Sequence, residues 1–160
     1  MYTSSLGKTL AVAAFGALLL ATTPGTAGAA GADADNAAVT HRQNVMSTVG
    51  ALAGTLGCVA KEECKLEDKM IQRHAKSLAF MLSQAPALFK NATPAATVKT
   101  TAKENIWTET AKFEEAMKKN ADEVAKVVTL AAGSDKKALA EQIQATLKTC
   151  KGCHEDFRTK

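Results

Sequence analysis

Apolar residues recur every three or four positions along most of this 160-residue chain, and this spacing limits the fold to packed helices. Four such segments are present, over residues 39–56, 66–88, 103–130 and 139–157. Alternating apolar and polar runs, which would indicate strands, are absent from the sequence. Four amphipathic helices with mostly short connections predict an all-α fold, an antiparallel four-helix bundle whose core can house a cofactor.

Glycine, proline and aspartate mark the predicted helix ends. Gly57 is expected to stop the first helix, and Pro86 to kink or end the second in its last turn. Residues 91–101 form the longest irregular connection. Gly133 is expected to end the third helix and Asp135 to cap the fourth.

A C-x-x-C-H motif, from Cys150 to His154, lies near the carboxyl end. Its two thiols can add to the vinyl groups of a haem, and the histidine can then bind the iron. A disulfide-exchange pair would be expected beside a βαβ pattern, which the sequence lacks, and a zinc site would need a second pair of ligands. The motif therefore predicts one covalent haem c on Cys150 and Cys153, with His154 as an axial iron ligand.

The fourth helix should carry this motif on its inner face. Cys150 and His154 are four positions apart, so they share a face with Leu147. We expect both side chains to point into the bundle, where apolar neighbours keep water away from much of the haem.

Residues 1–29 have the layout of a secretory signal peptide. Lys8 precedes an apolar run, and two A-x-A sites place the cleavage between residues 29 and 32. The alternative, a membrane anchor, needs about 20 apolar residues, and the run is shorter. Residues 33–160 are then expected to form one soluble, exported domain. A bacterial periplasm fits best, because haem is attached to this motif outside the cytoplasm.

The charge pattern excludes one class of partner. The formal net charge is +4, and the basic residues are spread along the chain, so nothing supports nucleic-acid binding. A basic patch near the haem could steer acidic redox partner proteins in the periplasm.

Residues 150–158, at the extreme carboxyl end, resemble the end of the cytochrome c-prime family, the class II c-type cytochromes. Residues 42–46 in the first helix and the pair Ile106 and Trp107 opening the third agree with this family in order and spacing. The resemblance covers essentially the whole mature chain. It implies a four-helix bundle with one haem, and a homodimer formed through the first two helices.

The resemblance singles out Met46. In such bundles the first helix places a side chain over the open face of the haem, opposite the proximal histidine. High-spin members have an apolar non-ligand there, and low-spin members have a methionine bound to the iron. Met46 stands at the matching position and is expected to be the sixth iron ligand of a low-spin, six-coordinate haem. The alternatives are a core-filling role for Met46 and ligation by His41 instead.

Two arginines match family positions beside the haem. Arg42 matches an arginine near a haem propionate, where a guanidinium can bind a carboxylate at two points. Arg158 follows His154 by four residues and matches an arginine that borders the proximal side. The alternative for each is an ordinary solvated charge.

Cys58 and Cys64 depart from the family pattern. Two further thiols this close in an exported protein favour a disulfide that staples the connection between the first two helices. Metal binding and redox signalling are the alternatives. The residue after Cys64 is Lys65, so a second haem motif is excluded.

Two functions of different kinds follow. The expected one is a periplasmic one-electron carrier, because His/Met ligation raises the haem potential and suits electron transfer. The alternative is a high-spin, five-coordinate protein that binds nitric oxide or carbon monoxide. An enzyme such as a peroxidase is not expected, because no acid–base pair accompanies Met46 in the sequence.

Overall fold

The computed structural model describes residues 26–160, and within this range the chain forms five helices and no strand. A single isolated bridge, between Ala102 and Arg158, is the one β pairing in the described range. In chain order the helices are α1 Thr26–Ala60, α2 Asp68–Leu88, α3 Asn105–Thr108, α4 Thr110–Ala131 and α5 Lys136–Phe157.

The four long helices enclose one apolar core. α1 packs against α2 and α5, and α4 packs against the same two helices. This arrangement confirms the predicted all-α four-helix bundle. The buried side chains of α1 follow the helical spacing seen in the sequence: Val45, Val49, Ala53 and Leu56.

Gly57 does not stop the first helix, as the sequence predicted, because α1 continues to Ala60. A Cβ atom on Gly57 would lie 3.0 Å from Cδ1 of Leu147 on α5. The missing side chain therefore lets α1 and α5 approach each other at this level. Pro86 is tolerated inside the last turn of α2, which ends two residues later at Leu88.

The predicted third helix is two helices, because the chain leaves helical geometry at Glu109, where φ is −121° and ψ is 45°. Hydrogen bonds to the end of α5 and to the residue after α2 hold α3 separate from α4. The amide of Lys103 donates to the Phe157 carbonyl at the end of α5 (3.0 Å). Trp107 Nε1 donates to the Phe89 carbonyl (2.9 Å) just after α2. These tertiary bonds override the continuous helical pattern.

The cap predicted for the last helix is confirmed. The Asp135 carboxylate accepts a hydrogen bond from the Ala138 amide (2.9 Å), which satisfies one of the free donors at the start of α5.

The predicted signal segment lies outside the described residues as far as residue 25. α1 begins at Thr26, so the predicted cleavage points, between 29 and 32, fall in its first turns. Across residues 26–160, no helix has the length and apolar character that crossing a bilayer requires.

Candidate haem site

The residues of the C-x-x-C-H motif meet at a cavity of about 520 Å³ between α1, α4, α5 and the connection that precedes α3. Its volume lies in the range of roughly 300–1,000 Å³ that is typical of cofactor and ligand sites. Most of its lining is apolar. The predicted site residues Arg42, Met46, Cys150, Cys153, His154 and Arg158 all line it.

The motif lies at the rim of the bundle rather than deep inside it. Cys150 and Cys153 are half-buried, whereas His154 is exposed although it lines the cavity. His154 therefore reaches the cavity from its rim, and its role as an axial iron ligand stays a prediction. Phe157, three residues later, takes the buried position on this face of α5 and is 6 % exposed.

The two thiols are held in their neutral form. Burial raises the pKa of the Cys150 thiol, and burial together with the charges of Cys150 and Asp156 raises the pKa of Cys153 to about 11. Reactive exchange pairs and zinc ligands need the opposite, an environment that favours the thiolate. The pair therefore fits covalent attachment better than either alternative.

The imidazole of His154 is kept neutral. Although the residue as a whole is exposed, partial burial at the cavity lowers its pKa, and the positive charge of Arg158 lowers it further. A neutral imidazole nitrogen is the form that binds a metal.

The end of α5 is fixed by the segment that leads into α3. Lys103 Nζ donates to the carbonyls of Glu155 (2.8 Å) and Asp156 (2.9 Å), as a cation at a helix carboxyl end should. Arg158 is exposed, and its Nε donates to Thr101 Oγ1 (3.2 Å). Arg158 therefore borders the cavity while it also holds the neighbouring wall.

Met46 lies on α1, opposite the motif on α5, and is half-buried at the cavity wall. His41, the rival ligand, is exposed and is not part of the cavity lining found in residues 26–160. Of the two, only Met46 lines the cavity that His154 also lines, within the described residues.

Arg42 is only 5 % exposed, which is unusual for an arginine. Its Nε and Nη2 donate to the carbonyls of Leu88 and Asn91 (2.6 Å each), and Nη1 donates to Thr93 Oγ1 (3.0 Å). Its guanidinium carbon lies 5.4 Å from the ring centres of Phe89 and Trp107. Burial lowers the pKa of Arg42, and the nearby Asp35 opposes this shift. The alternative of a solvated charge is therefore wrong for Arg42.

Several lining residues were not predicted from the sequence to be part of the site. α4 contributes Asn120, which is 4 % exposed and accepts a hydrogen bond from Thr149 Oγ1 through its Oδ1 (2.8 Å). The ring of Phe113 lies 5.3 Å from Phe89 and 5.2 Å from Phe157. Helical spacing identifies such positions as buried, but it does not distinguish a side chain that faces a cofactor from one that faces another helix. The remaining members include Val49, Leu82, Ile106, Met117 and residues 100–102.

Cys58 and Cys64 form a disulfide, with Cα atoms 5.5 Å apart, across the turn between α1 and α2. Neither residue lines the cavity in the described structure. The pair acts as a staple of this turn.

The residues that line the cavity are chemically suited to hold a haem. Two neutral thiols, one neutral imidazole and an apolar lining provide the anchors, the iron ligand and the low-polarity surroundings that a covalent haem needs.

Comparison with known proteins agrees with this site. The family described as Cytochrome C' matches residues 37–158, a range that includes all six predicted site residues. Cytochrome c' of Rhodospirillum rubrum is 34 % identical over 126 residues, which cover 78 % of this chain and 84 % of that protein. Cytochrome c' of Cereibacter sphaeroides is 34 % identical over 90 % of this chain and 95 % of its own length.

Solved structures show the same fold. Recombinant native cytochrome c prime from Alcaligenes xylosoxidans superposes with a TM-score of 0.70 at 23 % identity, covering 77 % of this chain and 94 % of that one. A nitric oxide complex of a variant of the same protein gives a TM-score of 0.71 at 22 % identity, with coverage of 79 % and 96 %. The family match and the haem-binding motif together establish that this chain belongs to the cytochrome c' family and is a monohaem c-type cytochrome with one covalently bound haem c.

Proposed function

We propose that this protein binds a small neutral gas, such as nitric oxide or carbon monoxide, on the face of the haem opposite His154. The observation that carries the proposal is the chemistry of the cavity wall. Apart from His154, its lining in the described residues contains no imidazole and no carboxylate. Peroxidase chemistry needs such acid–base groups beside the iron, whereas a neutral diatomic molecule needs only an apolar space and a free coordination position.

Family membership also favours gas binding over electron transport. The solved relative from Alcaligenes xylosoxidans has been captured with bound nitric oxide in three variants. That protein shares the fold of this chain at low identity, so the likeness supports the proposal without carrying it.

Each site residue has a role in this proposal. Cys150 and Cys153 anchor the haem to α5, and His154 holds the iron from that side. When bound, the haem supplies the iron centre at which the gas is taken up. Phe113 and Met117 exclude water from the space around it, since both are buried at the cavity wall.

Met46 decides between the two candidate functions. The sequence led us to expect it as the sixth iron ligand of an electron carrier, and its position at the cavity wall is compatible with that second candidate. We propose instead that Met46 covers the distal face and leaves the iron available to a gas. In this proposal the thioether, a weak axial ligand, remains unbound.

Optical spectra of the purified holoprotein test this choice. We expect a high-spin spectrum that changes on addition of carbon monoxide, and we expect Met46→Leu, which keeps the side-chain volume but removes the sulfur, to remain high-spin. Met70→Leu on α2 is the matched control, because Met70 is 36 % exposed and lies outside the described cavity lining. A low-spin wild type that becomes high-spin only in Met46→Leu would refute gas binding and support the electron carrier.

We further propose that the protein works in the periplasm after loss of residues 1–29. Mass spectrometry of the exported protein should find a chain that begins between residues 30 and 33 and carries the added mass of one haem. Retention of the signal segment, or a mass without haem, would contradict this proposal.

A further inference from the structure

The connection between α2 and α3, residues 89–104, lies along α1 and is held there by α1 side chains. The Asp35 carboxylate accepts a hydrogen bond from the Ala95 amide (2.9 Å), and Gln43 Nε2 donates to the Lys99 carbonyl (2.7 Å). Irregular backbone has no helical partners for its amides and carbonyls, so these side chains take the place of secondary structure.

Asn36 contributes most to this attachment. Its Oδ1 accepts from the amides of Thr97 (2.8 Å) and Val98 (2.9 Å), and its Nδ2 donates to Thr97 Oγ1 (3.1 Å). One half-buried amide thus makes three hydrogen bonds across 61 and 62 positions of sequence. Asn36 also follows the predicted cleavage points, so it is retained in the mature protein.

The segment that Asn36 holds continues directly into the cavity wall. Residues 100–102 line the cavity, and Gln43 lines it from α1. The far side of this wall is tied to the end of the chain, because the Thr159 amide donates to the Thr101 carbonyl (2.8 Å) and Arg158 Nε donates to Thr101 Oγ1 (3.2 Å). The wall is therefore a short strap pinned by α1 at one end and by the residues after α5 at the other.

We infer that Asn36, with Asp35 and Gln43, is a positioning residue that holds residues 95–102 against the haem cavity and so limits the rate at which a gas reaches the iron. This inference rests on the proposed gas binding. Its physical basis is that a surface segment without secondary structure opens locally when its few hydrogen bonds break.

The test compares Asn36→Ala, Asn36→Asp and Asn44→Ala in the holoprotein. An aspartate at position 36 keeps the oxygen that accepts from both amides, and it can accept from the Thr97 hydroxyl in place of the lost Nδ2 bond, so it should rescue the strap. Asn44 is exposed on the same helix, and no hydrogen bond from its side chain is found in the described residues, which makes it the matched control for the change to alanine.

Two measurements are needed: hydrogen exchange of the Thr97 and Val98 amides, and the rate of carbon monoxide association. In Asn36→Ala we expect both amides to exchange about ten times faster or more, and carbon monoxide to associate several-fold faster, with the global unfolding curve little changed. Asn36→Asp and Asn44→Ala should match the wild type in both measurements.

The outcomes separate the inference from the proposed function. Unchanged amide exchange in Asn36→Ala would overturn the positioning role, and faster exchange with an unchanged association rate would overturn control of access. A wild-type holoprotein that binds no carbon monoxide would refute the proposed function and the control of access with it, while the exchange data would still decide the positioning role.

Discussion

Replacing Arg42 with methionine should lower the free energy of unfolding by about 3 kcal/mol. The change removes three hydrogen bonds from a charged donor, to Leu88, Asn91 and Thr93. Hydrogen bonds to charged groups contribute roughly 1.5–3 kcal/mol each. The methionine variant no longer pays the desolvation cost of a buried cation, which restores several kcal/mol of stability. The net loss is therefore smaller than the sum of the three hydrogen bonds.

Replacing Arg42 with lysine separates charge from geometry. A lysine keeps the positive charge, but its ammonium is a point donor that cannot reach three spread acceptors and cannot stack between Phe89 and Trp107. We therefore expect Arg42→Lys to recover about half of the loss, leaving a destabilisation of roughly 1.5 kcal/mol.

Urea unfolding of the holoprotein, followed by far-ultraviolet circular dichroism, measures both values. Arg73→Met is the matched control, because Arg73 is exposed on α2 and should change stability by less than about 0.5 kcal/mol. The expected loss in the free energy of unfolding is about 3 kcal/mol. If Arg42→Met instead loses less than about 1 kcal/mol relative to the wild type, the connection does not depend on Arg42. Full recovery by lysine would show that charge alone matters.

Three further predictions concern other parts of the molecule. Replacing Cys58 and Cys64 together by serine should cost about 2 kcal/mol of stability, measured by urea unfolding, and leave haem attachment intact because the disulfide lies outside the cavity; loss of the haem band would contradict this. Hydrogen bonds from Lys126 and Gln142 lower the pKa of Glu123 from its ordinary value of 4.5, so the stabilisation they give is present above pH 4.5 and is lost as the pH falls through the lowered pKa. Glu123→Gln should therefore show a flatter acid limb in a plot of unfolding midpoint against pH, and an unchanged limb would rule the contribution out. Phe80 on α2 is 64 % exposed, and if the protein dimerises through α1 and α2, Phe80→Glu should shift it to monomer in analytical ultracentrifugation, whereas an unchanged sedimentation coefficient would place the contact elsewhere.

Helical spacing predicted the four long helices well because each buries a periodic stripe in one core. It failed at Gly57 and at Glu109 for different reasons. At Gly57 the local preference for a helix end yields to the close approach of Leu147 on another helix. At Glu109 a pattern that favours one helix yields to hydrogen bonds from distant parts of the chain, at Phe89 and Phe157.

The site residues also differ in whether the sequence alone could predict them. Cys150, Cys153 and His154 are adjacent in sequence, so their spacing alone identifies the chemistry that they share. Asn36 has no such signal, because its partners lie more than sixty positions away in a segment without periodicity. Its contribution depends on where an irregular connection packs against a helix. Helical periodicity does not predict that position.

Arg42 shows how the structure extends what the resemblance implied. A guanidinium carries five N–H donors, and Leu88, Asn91 and Thr93 accept from three of them. Two donors remain, and we predict that they bind a carboxylate of the haem in the cavity that Arg42 lines. Two of its three acceptors are carbonyls at or just beyond the end of α2, where the helix dipole favours a cation. These acceptors are neutral, so they hold the guanidinium without cancelling its charge. The positive charge, partly offset by Asp35, therefore remains to favour an anionic group at the apolar cavity, and contact between Arg42 and the haem stays a prediction.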